Sequence, residues 1–109
     1  MRTIKIGEKE IGLKATPLAL LFYKQTFKTD LTSDLMKMRE VEKDPSAIDS
    51  VQILQMTWAM AKAFNGLGKK FPDFQTWVSE LEEFDFAELT PVIMQEAIDG
   101  FFRGGKGKQ

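Results

Sequence analysis

Between Asp44-Pro45 and Asn65-Gly66 the chain carries apolar side chains on nearly every side of one helical stretch. Ala47, Val51, Leu54, Trp58 and Ala61 recur at three-four spacing, and Ile48, Ile53, Met56, Met60 and Phe64 widen that stripe. A helix this apolar has to be enclosed, by the rest of the chain or between subunits, so it is the expected centre of the core. Asp44-Pro45 is the expected start, since proline suits the first turn, and Asn65-Gly66-Leu67-Gly68 is the expected stop.

What precedes this helix reads as a hairpin and two shorter helices. Thr3 to Ile6 and Glu10 to Lys14 alternate apolar with polar around Gly7-Glu8-Lys9, the pattern of a β-hairpin over about 2–14 with Ile4, Ile6, Ile11 and Leu13 on one face. A lone hairpin is marginal in water, so that face must rest on helices. Thr16-Pro17 predicts a cap and first turn for a helix over 17–28 carrying Leu18, Leu21 and Phe22, closed by Thr29-Asp30. Ser33-Asp34 predicts the cap of a second helix with Leu35, Met38 and Val41 inward, closed by Asp44-Pro45.

After Gly68, Lys69-Lys70-Phe71-Pro72 reads as loop. Asp73 then predicts a helix cap, with Phe74, Trp77, Val78 and Leu81 at i, i+3, i+4 and i+7. Phe84 to Leu89 reads as a connector or single turn. Thr90-Pro91 repeats the cap-plus-proline signal, so a last helix is expected from there, carrying Ile93, Met94, Ala97, Ile98 and Phe101. Gly104-Gly105-Lys106-Gly107-Lys108-Gln109 has nothing to bury, so 103–109 is expected to be a disordered basic tail. The fold class is therefore mainly α: a short N-terminal hairpin and about five helices packed in one domain over 1–102.

Composition narrows the chemistry. The 109 residues contain no Cys and no His, which removes disulfides, thiolate nucleophiles and the commonest general base and metal ligand. A catalytic function is not expected, and no cofactor or metal is assigned. Ser and Thr have no His to activate them, and Thr16, Ser33 and Thr90 are placed as helix caps. Gly66-Leu67-Gly68-Lys69-Lys70 lacks the glycine and the Ser or Thr of a phosphate loop and follows a helix, where a phosphate loop follows a strand. No apolar run is long enough for a membrane span, and no signal peptide is read at the N-terminus, so a cytoplasmic protein is expected.

Charge is distributed unevenly. Residues 71–102 carry eight acids and no base, while residues 1–70 carry twelve Lys or Arg against eight acids. Glu80, Glu82, Glu83, Asp85 and Glu88 fit no calcium loop, so the plain reading is a solvated acidic face. A polarised molecule also suits a basic partner or a head-to-tail copy of itself. Nucleic acid would want a basic stripe, and the long helix offers only Lys62.

The chain has nine Phe, two Trp and six Met, and Phe84, Phe86, Phe101 and Phe102 exceed what a short amphipathic helix needs on one face. Most belong in the core, while a minority suit an adaptable surface for apolar partner helices. The candidates for partner contact are Trp77, Phe84, Phe86, Phe101 and Phe102, and those for self-association are Trp58 and Met60.

The opening Thr3 to Leu13, the helix Pro17 to Lys24 and the following Phe27 to Leu35 together resemble the tail assembly chaperones of long-tailed phages and prophages. That resemblance extends over nearly the whole chain in its order of elements. It implies a non-virion helper in the host cytoplasm that coats the helical, aggregation-prone tape measure protein until tail tube subunits polymerise around it. It also implies self-association and a longer product made by programmed ribosomal frameshift, which would bring in the tail tube protein; Gly104 to Lys108 would be encoded by purine-rich codons. The alternative reading is a small tail structural or connector-type protein, or an adaptor. An enzyme working with Lys or carboxylates alone is a third reading and would need a concave pocket with convergent titratable groups.

Overall fold

In the computed structural model, residues 2–40, 49–68 and 70–102 are described. The chain runs β1 (Arg2–Ile6), β2 (Lys9–Leu13), α1 (Pro17–Phe27), α2 (Leu31–Glu40), α3 (Ser50–Asn65), α4 (Phe74–Ser79) and α5 (Phe86–Phe101). This is the mainly helical fold with an antiparallel N-terminal hairpin that the sequence predicts.

The hairpin pairs Ile4 with Ile11 and Ile6 with Lys9, leaving a two-residue turn. Gly7 takes φ 65 and Glu8 stays at negative φ, as in a type II′ turn whose twist suits the strands. Ile4, Ile6 and Leu13 are buried on one face, while Thr3, Lys5 and Glu10 face solvent. The Lys14 N–H donates to the Met60 carbonyl at 3.1 Å, and the Phe64 ring lies over Gly12. Two strand residues advance about 6.6 Å and four helical residues about 6 Å, so β2 and α3 keep step while running in opposite directions. The helix thereby lies against the strand edge, which would otherwise be open to pairing.

α1 begins at Pro17 with Thr16 in the cap position, but the Thr16 hydroxyl makes no cap hydrogen bond. Lys28 ends the helix at φ 64, its N–H donating to the Lys24 carbonyl. α2 departs from the sequence reading: it starts at Leu31, two residues before Ser33. Asp30 is the true cap, accepting from the Ser33 N–H at 3.0 Å and from the Thr32 and Ser33 hydroxyls. Those donors hold the Asp30 carboxyl below its usual range. The shifted start turns Asp34 inward, where it accepts from the Tyr23 hydroxyl at 2.9 Å and from the Thr29 hydroxyl at 2.8 Å. Val41, Asp44-Pro45, Ala47, Ile48 and the tail 103–109 lie outside the described residues.

α3 is the centre of the core, packed by β2, α1, α4 and α5. It begins at Ser50, with Asp49 accepting from the Val51 and Gln52 N–H groups, whereas the sequence pattern starts it at Pro45. The buried face also differs from the predicted stripe. Val51 is 52% exposed and Leu54 half-buried, while Met56 to Ala61 are buried without a break. Thr57 satisfies its buried hydroxyl by donating to the Ile53 carbonyl at 2.7 Å. Tyr23, Phe27, Trp58 and Phe74 form a run of edge-to-face rings, with centroids 5.0 to 6.1 Å apart. Trp58 donates its indole N–H to the Pro72 carbonyl at 3.0 Å, fixing the loop after α3. Lys62 Nζ stands 4.5 Å from the Phe22 ring centre and 5.0 Å from that of Trp58, its charge over both rings.

Asp73 caps α4 through the Thr76 N–H at 2.8 Å, and this bond lowers the Asp73 carboxyl pKa. The helix is one and a half turns, so Leu81 lies beyond its end. α5 is the larger correction. It starts at Phe86 under an Asp85 cap and runs unbroken through Thr90-Pro91. Asp85 accepts from the Glu88 N–H at 3.1 Å, and the Leu89 N–H bonds the Asp85 carbonyl at 2.9 Å. Pro91 therefore sits inside a helix already begun and forgoes one hydrogen bond, toward the Ala87 carbonyl. Leu89, Ile93, Met94 and Ala97 form its buried stripe.

Candidate binding surface

The segment from Glu80 to Glu88 joins α4 to α5 at the surface. Phe84 and Phe86 are held on either side of the Asp85 cap, and their rings pair at 4.6 Å with a 52° tilt. Both are half-buried: one side rests on the core and the other meets solvent. Glu80, Glu82, Glu83, Asp85 and Glu88 are all exposed. Glu83 reaches toward the hairpin tip, its Oε2 lying 3.0 Å from the point a Cβ on Gly7 would occupy.

The remaining sequence candidates divide between interior and surface. Trp77 is buried against the core, as are Trp58 and Met60, which are 1% and 0% exposed. In this fold Trp58 and Met60 present no side-chain surface to a second copy, since their area is taken up by the neighbouring elements. Phe101 is half-buried and Phe102 is 41% exposed at the far end of α5. Phe86 and Phe101 are fifteen residues apart, about 22 Å along the helix. The aromatic candidates thus form two separate places, one at each end of α5.

Besides the caps Asp73 and Asp85, two of the eight acids of the C-terminal part tie the fold together across the chain. Glu96 is buried, with Oε1 3.0 Å from Arg2 Nε and Oε2 accepting the Ala15 N–H at 3.1 Å. Asp99 takes Arg2 Nη2 at 3.0 Å and Gln95 Nε2 at 2.8 Å. Arg2, Lys14, Ala15, Thr16, Glu96, Asp99 and Gly100 line a cavity of about 290 Å³ at this clasp. Sequence reasoning assigns these acids to the solvated face; no local signal marks Glu96 as the one that turns inward. It also misses Leu21, Met36, Phe64 and Leu67 as exposed apolar side chains, because helical spacing alone does not say which flank a neighbour covers.

Among the described residues, no three acidic side chains are grouped so as to hold a metal ion, and no helix is long and apolar enough to cross a membrane. Comparison with known protein families, with curated proteins and with solved structures finds no match to this chain.

Proposed function

We propose that this chain works by binding another protein, as a tail assembly chaperone that keeps the tape measure protein soluble in the host cytoplasm until tail tube subunits displace it. The observation that carries this reading is the placement of its aromatic residues. Phe64 and Phe102 stand exposed, and Phe84, Phe86 and Phe101 stay half-buried, resting on a core whose fully buried residues are other side chains. Surfaces of this kind cover the apolar stripes of a partner helix. The order of elements, a hairpin leading at Pro17 into a helical body, is also that of the family the sequence resembles. As a holdase it would act by mass action, binding the client before it aggregates and giving way when tube subunits compete.

Co-expression with a tape measure protein tests the reading. A soluble complex that co-purifies is the expected outcome, and an insoluble client with no co-purification overturns it. A connector-type structural role would instead put this chain in purified virions.

A further inference from the structure

We infer that the Phe84–Phe86 pair and the acids beside it dock a basic amphipathic helix, a segment whose apolar stripe is flanked by Lys or Arg. This deepens the chaperone reading by naming the chemistry of the client segment, and it rests on that reading. The rings supply the apolar contact: they pair at 4.6 Å and keep one side in solvent. Charge supplies the choice of partner. Residues 71–102 contain no Lys or Arg, and among the described residues none of Glu80, Glu82, Glu83, Asp85 or Glu88 forms an ion pair.

Folding accounts for only part of this charge. Asp85 caps α5, and Glu88 lies in its first turn, where an anion is favoured by the helix dipole. Glu80 sits at the carbonyl end of α4, where an anion is disfavoured, and Glu82 and Glu83 belong to no helix. Three exposed carboxylates therefore precede the aromatic pair in the chain with no capping role of their own. An acidic partner would be repelled, a neutral apolar helix would leave them unpaired, and a basic amphipathic helix answers both the rings and the charges.

The test uses the full chain and two synthetic helical peptides of about 20 residues with the same Leu stripe, one bearing Lys on its flanks and the other Glu. Binding is read by anisotropy at about 50 mM and about 500 mM NaCl. The Lys peptide should bind at least about tenfold more tightly than the Glu peptide at low salt, with the difference shrinking at high salt. The triple variant E80Q/E82Q/E83Q, which leaves the Asp85 cap and the first-turn Glu88 intact, should lose about tenfold for the Lys peptide only. Phe84→Leu should weaken the Lys peptide as well, with an unchanged thermal midpoint confirming the fold. Equal binding of the two peptides, or a triple variant indistinguishable from the native chain, overturns the inference. If the Lys peptide fails while a co-expressed tape measure protein is still kept soluble, this inference falls and the chaperone reading stands; the opposite pair of results reverses that.

Discussion

Arg2 Nε lies 3.0 Å from Glu96 Oε1, joining the first strand to the last helix across 94 positions of chain. The same carboxylate accepts the Ala15 N–H, so one buried side chain ties β1, the β2–α1 junction and α5 together. A buried carboxylate is tolerated only when its oxygens are met by donors, and here the donors come from the opposite end of the sequence.

Arg2→Ala removes a charged donor from a carboxylate that stays buried. It should cost about 1–3 kcal/mol, reduced from the fully buried case because the Arg2 side chain is 34% exposed. Urea unfolding of the variant checks this, and a loss near zero would show that the clasp contributes no stability.

Gly100→Ala and Gly12→Ala should differ sharply. A Cβ on Gly100 would stand 2.3 Å from the Ala15 carbonyl oxygen, a backbone atom that cannot turn aside. A Cβ on Gly12 would meet the Phe64 ring at 2.5 Å, but that ring is exposed enough to swing away. We expect at least about 2 kcal/mol for Gly100→Ala and about 1 kcal/mol for Gly12→Ala. Adding Phe64→Ala should remove most of the Gly12 penalty in a double-mutant cycle.

Tyr23 is the sole tyrosine, and burial together with the Asp34 carboxylate pushes its phenol well above the ordinary value of about 10. Its folded pKa is raised, so the stability it contributes is fully present below about pH 10 and falls as pH rises through the folded value. Absorbance at about 295 nm should show phenolate appearing together with unfolding. In Tyr23→Phe the alkaline slope of stability should become shallower. That variant should also lose about 1–2 kcal/mol near neutral pH, because Asp34 loses one of its donors.

Asp85→Ala should cost about 1 kcal/mol and speed hydrogen exchange at Glu88, whose N–H the cap holds. Thr90→Ala should have no capping penalty. The opposite pattern would mean that the helix starts at Pro91 after all.

Much of the fold was legible from local pattern. The alternation of Thr3 to Ile6, the glycine turn, the Pro17 start, the Asn65-Gly66 stop and the Asp73 cap are decided within a few residues, by backbone geometry and hydrogen bonds to near neighbours. The errors arose where two local signals competed. Asp30 and Ser33 both offer caps, as do Asp85 and Thr90-Pro91, and propensity alone cannot rank them. At α2 and α5 the earlier acid won, extending a helix whose further turns pack on the core, whereas α3 begins later than its pattern, under Asp49.

The candidate surface was only partly legible. The aromatic surplus and the acidic C-terminal part are readable by counting, so Phe84, Phe86 and Phe102 could be named. Trp58, Met60 and Trp77 could not be separated from them, because a side chain is buried only if another element covers it.

By itself the sequence determined the element types, most of their ends, and the polarised charge, since each follows from neighbours within a turn or a strand pair. Only the tertiary structure decided that four elements pack on α3, that Glu96 turns inward while Glu82 and Glu83 stay in water, and that Trp58 packs while Phe102 stands out. Those outcomes depend on which segments meet across the chain, as Arg2 meets Glu96, and no local pattern carries that information.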